Sequence, residues 1–438
     1  MEELINMGMT GSSLTRKKAG LLEVPGVFIA GNFTAGRLAT FVGVIMKLSV
    51  RFLLLVALLT GDRLSFTAYG QSPGPAPEIQ SEMERVSALF KDKKIAEAML
   101  VMQKRVASPD FGSLNQDTQA NFYYYNLACG ASLLGRPEEA IAYLGVAIGD
   151  GFKNFLEIKS DTDLDPIRQE PGFLLLLEMV RTRGDYLSIL REHGDYPDNT
   201  QRNPATFTYQ SKQDPDLTRF RETWKLESIA GNGDDASRVL NLLHWVHAQV
   251  RHDGNSKDPE PRNALNLLEV GRKEGRGLNC RMMATILNEA CLAVGYKARH
   301  ITCFPLDKND PDCHVITAVW LERLQKWVYL DPTFEAYFTD SQGTLLSVPE
   351  VRACMIKGDP LVLSKNANWN GRKEDAAEYL NYIAKDLIRL SCPRQSSFGY
   401  ESGKGAKAYV ELDPVNIPPE NWEGYSYTHD PALFWARP

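Results

Sequence analysis

Apolar residues between Glu82 and about Val180 recur three and four positions apart, the spacing that lines one face of an α-helix. In "YYYNLACGASLLGRPEEAIAYLGVAI", Tyr124, Leu127 and Ala128 precede Gly135-Arg136 and Ala140, Leu144 and Ala147 follow it, so two antiparallel helices turn there. "KKIAEAMLVMQKRV" upstream reads as one more helix of the same kind. After the polar run "REHGDYPDNTQRNP" the period changes. "TFTYQS" reads as a strand, and Asp234 or Asp235 caps a helix with the stripe Val239, Leu242, Leu243, Val246 and Val250. "GLNCRMMATILNEACLAVG" predicts another, striped by Met283, Ile286, Leu287, Ala290, Cys291 and Val294. Three β-rich runs follow, "ARHITCFP", "HVITAVWLE" and "KWVYLDP". Beyond Leu345, "SVPEVRACMIKGDP" looks helical, and "EDAAEYLNYIAKDLIRL" predicts an amphipathic helix with Ala377, Leu380, Ile383, Ala384, Leu387 and Leu390 inward. The aromatic tail "WEGYSYTHDPALFWARP" is expected to pack back on the body.

These changes of pattern divide the chain into a helical block at 81–200, a mixed block at 205–345 and a C-terminal extension at 346–438. "QSPGPAPEIQ" at 71–80 reads as a linker. Before it, residues 46–70 have the form of a signal peptide: Lys47 and Arg51, an apolar run from Phe52 to Leu59, then small residues at Ala68 and Gly70. Met46 is then the expected start, and residues 1–45 an upstream extension without structural meaning. The expected location is the periplasm or the outside of the cell. An uncleaved anchor facing out of the cytoplasm is the alternative, and the membrane is met only through this segment.

Composition narrows the function. With 438 residues, 43% apolar, 24% charged and a net charge of −6, the chain is ordinary globular material. Its basic residues are dispersed, without a stripe interleaved with aromatics, so nucleic acid is not an expected partner. No metal or other cofactor is expected either. His244 and His247 are one helical turn apart but lack a third ligand, and Cys303, Cys313 and His314 lack a second ligand pair. "DTDLDP" at 161–166 fails as a calcium loop because Pro166 stands where glycine is needed, and it reads as a solvated connection. "GRKEGRGLNC" lacks the order of a phosphate loop; its glycines let backbone approach the start of the next helix. The seven cysteines leave at least one unpaired within the chain in an oxidising compartment, and a Cys303–Cys313 disulfide is expected.

Cys291 belongs to its helix's apolar stripe and reads as core. Cys280 shares that face but stands in the first turn, where unpaired N–H groups and the helix dipole favour a thiolate. A nucleophile needs a base. A tight turn near Glu322–Gln325 folds the last two β-runs into a hairpin that returns Asp331 beside His314, opposite it or one diagonal away. A carboxylate there orients the imidazole and sets its tautomer. Cys280, His314 and Asp331 together supply nucleophile, base and orienting group for acyl transfer.

The ordered set "GLNC", "DCHVITAVWL" and "KWVYLDPT", over roughly residues 206–340, resembles the transglutaminase-like superfamily. The resemblance implies an α+β class with a papain-like core, a nucleophile helix packed on an antiparallel sheet. It also implies a catalytic triad at Cys280, His314 and Asp331, 34 and then 17 residues apart. An oxyanion donor is implied as well, the main chain of Cys280 with Trp245 or Asn263 as side-chain candidates. The helical block resembles a tetratricopeptide repeat over about one and a half repeats, an all-α domain that docks peptides or proteins. Superfamily members all pass through a thioester but differ in reaction. The expectation is an exported cysteine peptidase or amidase acting on peptide or protein substrates. The alternatives are a non-catalytic module binding through the helical repeats, and a glutamine–amine cross-linking transferase.

Overall fold

The computed structural model describes residues 77–114, 118–196, 206–310, 312–403, 407–414 and 424–438. The signal-peptide segment, the extension before it and residues 71–76 of the expected linker lie outside the described residues. Residues 77–80 are not linker: Pro77 opens a helix, a place where its missing N–H costs nothing. No helix among the described residues is long and apolar enough to cross a membrane.

The helical block runs α1 (Pro77–Lys91), α2 (Ile95–Val106), α3 (Tyr125–Leu133), α4 (Pro137–Gly149), α5 (Phe155–Ser160), α6 (Pro171–Gly184) and α7 (Tyr186–His193). As expected, α3 and α4 turn at Gly135-Arg136, and Leu127, Ala128, Ala140, Leu144 and Ala147 are fully buried between them. The stretch expected to be a solvated connection is instead a 3₁₀ turn, Thr162–Ile167. Asp161 caps it by accepting from the Asp163 N–H at 2.9 Å, and Leu164 and Ile167 are buried. Apolar residues alternating with aspartates gave that run its polar look while still supplying two core contacts.

The mixed block contains α8 (Pro215–Trp224), α9 (Leu226–Ala230), α10 (Asp235–Gln249), α11 (Ala264–Glu274) and α12 (Cys280–Ala293). Strands β1 (Ala298–Phe304), β2 (His314–Leu321) and β3 (Lys326–Leu330) follow. Next come α13 (Val348–Lys357), a small hairpin β4 (Asn368–Trp369) and β5 (Arg372–Lys373), and α14 (Ala376–Asp386). The chain closes with β6 (Arg389–Pro393), β7 (Tyr409–Leu412), β8 (Tyr425–Thr428) and α15 (Pro431–Phe434). The main sheet has six strands in the order β8-β7-β6-β1-β2-β3, antiparallel except for the parallel pair β7–β8. Three of the six come from residues beyond 345.

Both faces of this sheet are covered, which is why all eight residues of β2 are buried. Val319, Leu321, Val328 and Leu330 pack with α10, α11 and α12. The alternate residues Ile316, Ala318, Trp320, Trp327 and Tyr329 pack with residues of α13, α14 and α7. The helix expected to run to Leu390 stops at Asp386; Ala377 is exposed and Leu390 lies in β6. Residues 383–393 are buried without interruption, the polar Lys385, Asp386 and Arg389 among them, so that run has no exposed face of the kind a surface helix keeps.

Helix α7 belongs with this second layer. Leu190 is fully buried in it, Arg191 donates to the Met355 carbonyl at 3.2 Å, and the Arg352 guanidinium donates to the Gly194 carbonyl. Tyr196 donates to the Ile388 carbonyl at 3.1 Å. Burying one leucine stabilises by about 1.5–3 kcal/mol. A chain beginning at residue 195 is therefore expected to melt several degrees below one beginning at residue 185, which keeps α7. Equal melting temperatures would show that α7 contributes nothing to this layer.

Candidate active site

Helix α12 starts at Cys280 because Asn279 caps it: Asn279 is extended and its side-chain oxygen accepts from the Met282 N–H at 3.0 Å. Just upstream, Leu278 pairs with the 251–253 segment, donating to the Arg251 carbonyl at 3.0 Å and accepting from the Asp253 N–H at 2.8 Å. Only glycine allows this approach, since a Cβ on Gly277 would lie 2.5 Å from the Asp253 Cβ. The 251–253 segment is thereby laid beside the start of α12.

His314 opens β2 and Asp331 directly follows β3. Register pairs Thr317 with Leu330, so Asp331 is one diagonal from His314, on the same face. His314 Nε2 and Asp331 Oδ2 are 2.7 Å apart, with the two side chains 1% and 0% exposed. Tyr379 of α14 also donates to Oδ2, at 2.7 Å. The Thr333 and Phe334 N–H groups donate to Oδ1 at 2.9 and 3.3 Å, so four donors surround the carboxylate. Tyr382, one turn after Tyr379, sets its hydroxyl 3.2 Å from His314 Nδ1. The rings of Phe334 and Tyr382 flank the imidazole edge to face at 5.7 and 5.4 Å.

Cys280 is half-buried, its Sγ 3.9 Å from the Cys313 carbonyl. Burial works against its charged form, but hydrogen bonds from His252 and His314, together with the charge of His314, bring the thiol down to about 6. Burial also opposes charge on His314. The Asp331 carboxylate and the Cys280 sulfur outweigh it and hold the imidazole well above its ordinary value. A thiolate beside an imidazolium is the state these shifts favour near neutral pH. The three residues expected from sequence are thus brought together.

The side-chain oxyanion candidates have other partners. Trp245 packs with Phe220 and Trp224, ring centroids 6.4 and 5.5 Å away, and Asn263 caps α11 by accepting from the Asn266 N–H at 3.0 Å. Trp245 is held in an aromatic cluster with α8, and Asn263 in the cap of its own helix. The main-chain N–H of Cys280 stands where a helix has no internal acceptor.

His252, which sequence reading passed over, reaches the thiol instead. Trp369 donates from its indole to His252 Nδ1 at 3.0 Å. Trp369 sits on the β4–β5 hairpin, closed by Asn370-Gly371 with both residues at positive φ, the turn signal that "NWNGRK" carries. His244 and His247 help to anchor this hairpin. His244 Nδ1 is 2.7 Å from Glu335 Oε1, and His247 Nε2 is 3.0 Å from Asn368 Oδ1, while Asn368 donates to Glu335 Oε2 at 3.1 Å. The expected Cys303–Cys313 disulfide is absent; both are free thiols. Cys303 pairs across strands with His314 and shares its face, so Cys313, one residue earlier, starts from the opposite one.

Residues 222–332 match the family model of the transglutaminase-like superfamily, a range that includes Cys280, His314 and Asp331. A crystal structure of a candidate cysteine protease from Cytophaga hutchinsonii is similar over 33% of this chain at 19% identity, with a TM-score of 0.23. This chain spans 47% of the length of that one. No curated protein sequence matches. The chain carries a transglutaminase-like domain, joined to a helical N-terminal region in a mixed α+β fold.

Proposed function

We propose that this transglutaminase-like domain is a cysteine hydrolase of peptide or amide bonds. The observation that carries the reading is the lowered Cys280 thiol at a helix start beside a His314–Asp331 pair at 2.7 Å. In the first step the Cys280 sulfur attacks the substrate carbonyl carbon, an S–C bond forms and the carbonyl electron pair moves to oxygen. Collapse of that adduct breaks the C–N bond, and His314 gives its proton to the departing amine. Water then attacks the thioester, with His314 taking its proton; the C–S bond breaks, the carboxylic acid product leaves and Cys280 returns as the thiolate. Peptide or protein substrates fit the family, and the α1–α4 hairpins offer them a docking surface. Action outside the cytoplasm is part of the proposal, supported by the signal-like run at 46–70.

Acid-quenched mass spectrometry after incubation with a peptide mixture tests the reaction. An adduct on Cys280 that water discharges supports hydrolysis, and one discharged only by added amine would replace it with cross-linking. No adduct under any condition would leave a binding module as the better reading.

Alkylation tests the nucleophile. Because the thiol is lowered to about 6, the thiolate dominates above that pH and is lost as pH falls through it. Iodoacetamide is expected to label Cys280 with a rate that climbs near pH 6 and is flat by pH 8. Cys313, pushed up to about 12 by burial, and Cys303, Cys354 and Cys392, all raised, should lag far behind at neutral pH. An onset for Cys280 near that of a free cysteine would contradict the ion-pair state.

A further inference from the structure

Two histidines approach the Cys280 sulfur, and their other hydrogen bonds give them different abilities. His314 presents Nε2 to a carboxylate, which only accepts, so Nε2 carries a hydrogen and Nδ1, with the Tyr382 hydroxyl at 3.2 Å, is the ring atom left to exchange a proton with sulfur. For His252 the fixed partner is a donor. Its Nδ1 lies 3.0 Å from the Trp369 indole nitrogen, which only donates, so Nδ1 is the acceptor and Nε2 bears the hydrogen. The atom left to His252 for Cys280 is an N–H without a lone pair. It can stabilise negative charge beside the sulfur but cannot take the thiol's proton.

The ring is also held in place from its backbone. The His252 N–H donates to Asn370 Oδ1 at 2.7 Å, and its carbonyl accepts from Asn370 Nδ2 at 3.1 Å. His252 further bridges Leu278, two residues before the nucleophile. One hairpin therefore grips this histidine by main chain through Asn370 and by imidazole through Trp369. The indole that does so is 40% exposed. A donor fixed before the reaction begins costs no reorganisation when charge develops, which is what an oxyanion site requires.

We propose that His252 Nε2–H, together with the main-chain N–H of Cys280, receives the oxyanion formed when Cys280 attacks a carbonyl, and that Trp369 is the positioning residue that sets the His252 tautomer. The proposal rests on the thioester chemistry above and names its missing side-chain donor. In the attack the S–C bond forms, the carbonyl π pair becomes the oxyanion, and His252 donates a hydrogen bond while keeping its proton. When the pair returns, the bond to the leaving group breaks.

Two probes on the full chain separate this role from thiolate stabilisation. p-Nitrophenyl acetate acylates through an oxyanion and releases p-nitrophenolate, whereas iodoacetamide alkylates sulfur by displacement with no oxyanion. His252 also helps to hold the thiolate, so both rates are compared on the plateau above the thiol's titration. His252→Ala is expected to slow acylation by about a hundredfold to a thousandfold, the loss typical for one oxyanion donor, while plateau alkylation changes little. That unchanged alkylation also reports that the site is folded. His252→Gln retains an N–H donor and should restore part of the acylation rate. Trp369→Phe keeps the ring but frees the imidazole to change tautomer, and should lose less than His252→Ala. Equal slowing of both probes by His252→Ala, or of neither, would overturn the proposal. A wild-type chain that alkylates but never forms an acetyl thioester would instead sink the hydrolase reading, and this inference with it.

Discussion

Under the proposed mechanism Cys280→Ala is expected to abolish the acyl-enzyme, and His314→Ala to cost nearly as much. The sulfur is the atom that mechanism bonds to substrate carbon, so alanine leaves no route to a thioester. Without His314 the thiol loses a hydrogen bond and the positive charge that bring it down to about 6, and the departing amine loses its proton source. Because nucleophile and imidazole act as one unit, each single loss should be on the order of ten-thousandfold or more, with little added by the double change. Stability separates the two variants. Cys280 is half-buried and small, so its alanine variant should melt near wild type. His314 is 1% exposed and paired with Asp331, and emptying that position leaves a buried charge short of a partner, a change that costs about 3–5 kcal/mol in comparable pairs. Acid-quenched intact mass with p-nitrophenyl acetate, alongside thermal melts, checks both. A thioester persisting in Cys280→Ala would place the nucleophile elsewhere. A Cys280→Ala chain whose only change is in stability, beside a wild type that also forms no thioester, would favour a binding role.

Which parts of this site could be read in the chain depends on how local their causes are. Cys280 was legible because a helix start and an apolar stripe are written within a few neighbouring residues. The approach of Asp331 to His314 followed from one hairpin, whose register a short turn between Leu321 and Lys326 determines. His252 was not legible: its role comes from Trp369, 117 residues away, and nothing beside His252 marks it. Asn370-Gly371 did signal the hairpin that carries Trp369, but not what the hairpin would touch. Trp245 and Asn263 were chemically suitable oxyanion donors, yet an aromatic cluster and a helix cap had prior use for them. Tyr379 and Tyr382 came from α14, in a region that looked like an extension. Ile383 to Pro393 are buried throughout although Lys385, Asp386, Arg389 and Ser391 are polar, so the helix end and β6 gave no alternation that follows burial.

Asp331→Asn should reduce acylation about a hundredfold to ten-thousandfold, by analogy with triads in which the same change gives the wrong imidazole tautomer. An asparagine is not excluded from this role in general, since an amide oxygen facing the ring can orient an imidazole. Here the main chain decides which way the amide turns. Thr333 and Phe334 donate N–H groups to the Oδ1 position, so an amide oxygen is held there and the NH₂ falls at Oδ2, 2.7 Å from His314 Nε2. The reverse orientation would set the NH₂ against two N–H donors in a fully buried site, leaving all of them without acceptors. With NH₂ facing it, Nε2 must become the acceptor, the hydrogen moves to Nδ1, and the imidazolium loses its counter-charge. His314 falls from its raised value, Cys280 loses a positive neighbour, and the pH at which iodoacetamide begins to label it should move upward from about 6. Tyr379→Phe is the control: it removes one donor from Oδ2 but leaves the His314–Asp331 bond and the two main-chain donors, so acylation should fall by far less. The tautomer can be read directly from the ¹⁵N shifts of His314. An Asp331→Asn chain that keeps the wild-type shifts and alkylation onset would mean that the amide turns against the loop, and that Asp331 orients His314 without supplying the charge.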